Sequence, residues 1–447
     1  MSNFITKNDE LILEDLVANG SFCAMPFVSM MVNTNQKLQY CCIASASSEP
    51  QLADENTKKS FIVTENQIND VWKSSAIKTV RNAMLSGEKV KACDGCYSQE
   101  VVGKSSSRKM MTTEWVNKIG KELFLDNIKK YIANNDAELP IFYLDLRLSN
   151  MCNLKCRMCN PFNSSQIAKE HFEIWNDEDY QQVWSQQYGR NPTWLKNEAT
   201  WQDSNILWDE LVGLIPNLKK VYMTGGEPTL IKNNYRFMKE SISSGMNDSM
   251  ELFFNLNCTN VTDEFLGLIA QFKYVSINAS IDGVGKVNDY IRYPSKWDKI
   301  STNFEKIAQL PNVNLNITPV VQVHNVLDLE NILNYAEEVS SRYKKDIGLD
   351  FLFNWSPKWY DVTILPEYIR KISSNQLKQY RNNSPRYSNN WLIKNSVDST
   401  INLLESSRNL EYSDLLDKFI KITRVYDKQR SQSFETTFPE IYKAIND

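Results

Sequence analysis

The chain has 447 residues, 42% of them hydrophobic and 11% aromatic, a composition that supports substantial cores and a length suited to two or three domains. Its net charge of −4 is scattered along the sequence, without the concentrated basic footprint of a nucleic-acid binder. No apolar run approaches the ~18 residues of a membrane span, and the opening MSNFITKNDELILEDL lacks a basic segment leading into an apolar one, so a cytoplasmic location is expected.

Residues 1–135 hold five of the nine cysteines. FCAMPFVSMMVNTNQKLQYCC reads as two strands joined by the polar turn NTNQ. VWKSSAIKTVRNAMLSG reads as one helix closed by Gly87, with ACDGC soon after it. From 136 to 360, strand and helix signals alternate. The strands expected are 141–148, 218–224, 251–258, 274–281, 313–323 and 347–355. Such alternation predicts an α/β domain with a parallel sheet, and six units make a partial (β/α)6 TIM-like barrel rather than a closed one. Residues 178–206, rich in Trp, Gln and Asn, lengthen the first crossover as a lid-like or substrate-facing insertion. Residues 361–447 read as a helical, polar C-terminal region.

The odd cysteine count, with none after Cys258, points to metal ligation rather than a disulfide framework. Cys152, Cys156 and Cys159 in SNMCNLKCRMCNP follow the first barrel strand directly, where functional groups of such folds collect. Three thiolates on a cubane iron–sulfur cluster leave one iron open to an exogenous ligand. A zinc site completed by a distant residue such as His171 uses the same thiolates. The second strand runs into YMTGGEPTL, where Gly225 and Gly226 permit close backbone approach, Glu227 offers a carboxylate and Pro228 follows. The third strand runs into CTNVT and the fourth into ASIDG.

Cys-x3-Cys-x2-Cys after the first strand, followed by Gly-Gly-Glu-Pro after the second, resembles the signature of the radical S-adenosylmethionine (SAM) enzymes. The resemblance implies a [4Fe–4S] cluster on Cys152, Cys156 and Cys159, with SAM chelated to the open iron. One electron then breaks the S–C5′ bond, yielding methionine and a 5′-deoxyadenosyl radical that abstracts hydrogen from a substrate. It implies cofactor contacts from Gly225, Gly226, Glu227, Pro228, Thr259, Asn260, Ser280, Asp282 and Arg292, the last toward the SAM carboxylate. Met158 and Val261 depart from the aromatic residue and the glycine usual at their positions.

Cys23, Cys41–Cys42, Cys93 and Cys96 resemble the ligands of a twitch-type (SPASM-like) auxiliary-cluster domain, here preceding the barrel. A second [4Fe–4S] cluster on Cys23, Cys41, Cys93 and Cys96 is implied. Adjacent strand residues face opposite ways, so one of the pair ligates. Gln36, as the turn residue five positions before the ligand, favours Cys41 over Cys42. Cys258 is either a buried apolar thiol or a hydrogen-atom donor close to the radical. The family implies a flavodoxin- or ferredoxin-type reductant. A peptide or protein substrate is expected first, a small carbohydrate- or nucleotide-like one second. A zinc-binding interaction protein and an iron–sulfur electron carrier are the readings from other classes.

Overall fold

The computed structural model describes residues 16, 20–44, 51–101, 105–185, 201–354 and 356–446. Six parallel strands form its centre: β3 (Tyr143–Leu146), β4 (Lys220–Met223), β5 (Glu251–Leu256), β6 (Tyr274–Ala279), β7 (Val313–Ile317) and β9 (Gly348–Leu349). They pair in sequence order, each joined to the next by a segment containing helix. This is the mixed α/β, partial-barrel architecture read from the sequence.

Alternation along the strands sets the two faces. Leu252, Phe254 and Leu256 of β5 are buried, as are Val275, Ile277 and Ala279 of β6, and they join the continuous hydrophobic core. Burial of this kind contributes about 25 cal/mol per Å² of apolar surface removed from water. Residues on the alternate face are mostly half-buried and polar or aromatic: Tyr222, Phe253, Asn255, Ser276 and Asn278. Asn255 is in register with Asn278, and Asn278 with Asn316. Asn316 Nδ2 donates to Asn278 Oδ1 at 3.1 Å, and Asn255 Nδ2 donates to the Tyr222 hydroxyl at 2.6 Å.

The N-terminal hairpin is real, but its placement was not legible. β1 (Ser29–Val32) pairs antiparallel with β2 (Leu38–Gln39) and parallel with β3. The eight strands form one continuous sheet. The first hairpin strand is shorter than expected because Met25–Val28 forms a helical turn, with Pro26 early in it where a missing N–H costs nothing. The helix expected over 71–87 is broken in two, Ile68–Trp72 and Ser75–Ser86. The Ser74 hydroxyl caps the second by accepting from the Ile77 N–H, and Gly87 closes it at φ 88°. The fifth expected strand splits into β7 and β8 (Val320–Val321). The sixth splits into β9 and β10 (Leu352–Phe353), and β8 and β10 make a separate two-stranded sheet. Trp355 lies outside the described residues.

Of the Trp-rich insertion, residues 186–200 lie outside the described residues. Its first part is the helix Glu178–Trp184, which buries Tyr180, Val183 and Trp184. Tyr180 meets Tyr426 of the helix Tyr412–Arg430, and Trp184 meets Trp359. The C-terminal region is helical: Glu367–Asn383, Trp391–Glu405, Tyr412–Arg430 and Pro439–Asn446 are its main helices. Among the described residues no helix is long and apolar enough to cross a membrane.

Candidate active site

The three-cysteine loop lies just beyond the C-terminal end of β3, and the segment after β4 holds it by its backbone. Gly226 N–H donates to the Ser149 carbonyl at 2.9 Å, and Glu227 N–H to the Met151 carbonyl at 2.7 Å. A Cβ on Gly226 would sit 2.1 Å from the Met151 carbonyl oxygen, and one on Gly225, at φ +114°, 2.7 Å from the Ser149 oxygen. Real Cβ atoms never come so close, so both glycines are required by the cysteine loop itself. Further on, the Ser164 hydroxyl donates to the Leu154 carbonyl at 2.8 Å and caps the helix Ser165–Ile174, accepting from the Ile167 N–H.

Cys156 is buried; Cys152 and Cys159 are half-buried. Burial pushes the Cys152 thiol up to about 12, with Cys156 adding to the shift, and raises Cys159 as well. A cation counters this at Cys156: Arg292 Nη1 donates to its sulfur at 3.6 Å. Arg292 is paired in turn with Asp282, Nε to Oδ2 at 2.7 Å, both almost wholly buried. Asp282 Oδ1 accepts the Val320 N–H at 2.7 Å, which fixes the carboxylate beneath the guanidinium.

Glu227 is 1% exposed. Its Oε1 accepts from the Thr229 hydroxyl at 2.6 Å and its Oε2 from the Asn257 N–H at 2.8 Å, bridging the ends of β4 and β5. Burial raises its pKa, with the Thr229 hydroxyl partly opposing. Pro228 starts the short 3-10 turn Pro228–Leu230. Thr259 belongs to a polar cluster with two residues the sequence reading missed. Asn153 Nδ2 donates to the Thr259 hydroxyl at 2.8 Å, and Asn257 Nδ2 to Asn153 Oδ1 at 3.1 Å. Asn260 Nδ2 donates to the Thr229 carbonyl at 2.8 Å. Ser280 is half-buried beyond β6, its N–H on the Leu256 carbonyl at 2.7 Å. Cys258 is 1% exposed at φ 58°, with its carbonyl accepting from Asn303 Nδ2 at 2.8 Å. His171 is buried, its Nδ1 2.8 Å from the Tyr180 hydroxyl and its ring against Trp175.

All five N-terminal cysteines line one cavity, together with Tyr40, Arg108 and Tyr143 of β3. Cys23 and Cys93 are buried, Cys41 and Cys96 half-buried, and Cys42 exposed. The Cys41 sulfur accepts the Ile43 N–H at 3.4 Å, and the Tyr40 hydroxyl lies 3.5 Å from the Cys93 sulfur. Cys96 sits on the helix Asp94–Val101, directly after the 3-10 turn that ends at Cys93. Arg108 brings a buried cation to the cavity, held by both carboxylate oxygens of Glu100 at 2.9 and 2.6 Å. Burial pushes the Cys23 thiol up to about 12, partly opposed by the Met25 N–H. Among the described residues, no three His, Cys, Asp or Glu side chains are drawn tightly enough together to hold a single metal ion.

Residues 146–336 match the family model described as "Radical SAM superfamily". No curated protein matches the chain. Among solved structures, the chain is similar to native anSMEcpe with bound AdoMet at 16% identity and TM-score 0.36, covering 56% of this chain and 62% of that one. It is also similar to Streptococcus suis SuiB bound to S-adenosylmethionine, at 13% identity and TM-score 0.37, covering 76% and 70%. For SuiB bound to precursor peptide SuiA the identity is 13%, the TM-score 0.34 and the coverage 65% and 60%. The chain thus spans less than two thirds of the length of the first of these. The family match covers the cysteine loop, the glycine clamp and strands β4 to β7.

Proposed function

We propose that the chain is a radical SAM enzyme carrying a [4Fe–4S] cluster on Cys152, Cys156 and Cys159 and a second cluster in the N-terminal cavity. The observation that carries this reading is the clamp. A loop with three thiols at the C-terminal end of β3 is held by Gly225–Glu227, so that sequence motif and backbone contact coincide. The donor set fits the group. Soft thiolates suit iron–sulfur clusters, and Arg292 places a positive charge on the Cys156 sulfur, where ligation requires the deprotonated form. When bound, the cluster supplies one electron to SAM and so opens hydrogen-abstraction chemistry.

The chain's own residues then have definite tasks. Arg292, oriented by Asp282, balances thiolate charge beside the cluster. Glu227 and the Asn153–Asn257–Thr259 cluster hold the strand ends around the SAM position, with Gly225, Gly226, Asn260 and Ser280 lining the same end. Asn255, Asn278 and Asn316, on the sheet face away from the hydrophobic core, present hydrogen-bonding groups to substrate. In the second site Cys23, Cys41, Cys93 and Cys96 are the ligands. The N–H donated by Ile43 and the partial burial of Cys41 favour it over the exposed Cys42. A peptide or protein substrate is the reading favoured by the likeness of these cysteines to auxiliary-cluster domains, which accompany peptide modification in many relatives. A flavodoxin- or ferredoxin-type reductant would supply the electron.

The test is anaerobic. The reconstituted protein is given SAM and dithionite, 5′-deoxyadenosine is quantified by mass spectrometry, and metals are counted. Iron in both sites, with 5′-deoxyadenosine formed only when the three cysteines are intact, is the expected result. A protein that binds zinc and no iron refutes it.

A further inference from the structure

The three-cysteine loop is anchored in a second place that SAM chemistry alone does not call for. Lys155 and Arg157 flank Cys156. Their N–H groups donate to the carbonyls of Tyr293 and Ile291, at 2.6 and 2.9 Å. The Arg157 side chain is wholly buried. Its Nη2 donates to Asp427 Oδ1 and to Gln432 Oε1, the latter at 3.0 Å, and its guanidinium carbon lies 3.8 Å from the centroid of the Tyr290 ring. The Tyr290 hydroxyl donates to the same Asp427 oxygen at 2.7 Å, and the Phe434 N–H donates to the other at 2.6 Å. Lys155 takes a parallel route. Its Nζ lies 3.4 Å from Glu170, which makes a two-pronged bond to Arg430 at 3.0 and 2.6 Å. Both cations beside Cys156 therefore end on one helix, Tyr412–Arg430.

We infer that the helix Tyr412–Arg430 is a positioning element for the three-cysteine loop, with Asp427, acting through Arg157, setting the course of the loop before any metal binds. A guanidinium taken out of water is costly without a counter-charge, and Asp427 gives Arg157 one where the loop now runs. The residues from Cys152 to Cys159 have no helix or strand of their own to hold them. Metal ligands work when partners outside the coordination sphere fix their orientation. The C-terminal region is thereby part of the SAM half of the molecule.

The inference rests on those thiols being cluster ligands, so it is tested first without metal. Hydrogen–deuterium exchange is followed by mass spectrometry on the metal-free full-length chain, comparing wild type with Asp427→Asn. Exchange across residues 152–159 is expected to rise at least tenfold while β5 and β6 stay protected. After reconstitution, the variant should lose at least half the iron of this site, with an altered electron paramagnetic resonance signal and an unchanged N-terminal site. A second variant, Arg157→Met with Asp427→Leu, exchanges the ion pair for an apolar one that keeps the helix packed. Faster exchange in the loop, with normal protection of residues 412–430, supports positioning through the hydrogen bonds. Unchanged loop exchange in both variants overturns the inference, and so does equal loss of protection throughout the chain. If the loop responds as expected but the wild type takes up no iron, the latch stands and the cluster assignment falls.

Discussion

Gly226→Ala tests whether the glycine pair serves the cysteine loop. The new methyl would sit 2.1 Å from the Met151 carbonyl oxygen, 2.5 Å from its carbonyl carbon and 2.6 Å from the Asn150 carbonyl carbon. All three are backbone atoms, so no side chain can swing aside. Restoring an ordinary contact of 3.4 Å requires the loop to retreat by about 1.3 Å. That retreat strains the bonds from Gly226 N–H to Ser149 and from Glu227 N–H to Met151. Overpacking costs about 1–3 kcal/mol and two lost hydrogen bonds about 0.5–1.5 kcal/mol each, so about 2–6 kcal/mol in all. The assay is urea unfolding of the metal-free protein, followed by 5′-deoxyadenosine formation after reconstitution. Gly267→Ala is the control: this helical glycine has nothing within 4 Å of its would-be Cβ, and the change should be neutral or gain about 0.5–1 kcal/mol. A Gly226→Ala protein as stable and as active as Gly267→Ala would refute the clamp.

Replacing Cys152, Cys156 and Cys159 by Ala should abolish 5′-deoxyadenosine formation and leave the iron of the N-terminal site in place, read by metal analysis. Cys41→Ser should empty the N-terminal site while Cys42→Ser retains its iron; the reverse pattern would reassign the ligand. Asp282→Ala strands the buried Arg292 and should cost about 3–5 kcal/mol, measured as a drop in unfolding free energy, whereas a near-neutral result would mean that solvent reaches the pair. The Arg108 hydrogen bond holds Glu100 below its ordinary value near 4.5, so its stabilisation is complete above that value and fades as pH falls through the depressed one. Urea midpoints of wild type and Glu100→Gln should therefore differ at pH 7 and converge as pH falls through the depressed value.

The barrel was legible because each strand carries its own signal. Alternation in ELFFNLNC and YVSINASI, with turn residues at the ends, needs no distant partner. The site was legible because Cys152, Cys156, Cys159 and the GGEP segment are short, contiguous motifs. What escaped was long-range. Nothing local in VSMMV says that β1 will lie parallel to β3, and nothing in KCRMC names Asp427. An arginine between two of three cysteines was nevertheless a signal, since a cation so placed needs a partner once buried. The glycines were read as room for a cofactor, and the contacts add that they accommodate the Met151 and Ser149 carbonyls. Arg292 was matched to a ligand's carboxylate, and its pairing with Asp282 and the Cys156 sulfur was not foreseen.

The pairing of β1 with β3, in which Ser29 faces Tyr143, bears on how the chain is made. β1 leaves the ribosome early and has only the two-residue β2 as a neighbour, while its parallel partner is still untranslated. A lone hairpin is marginal in water, and joining strands so far apart in sequence carries the entropy of closing a long loop. Tyr143 is the part of the cysteine cavity that β3 supplies, so Cys23 and Cys41 pass through a stage of synthesis with one side of their cavity still open. The N-terminal cavity is thus closed on its last side only when the barrel's first strand has been made and paired with β1.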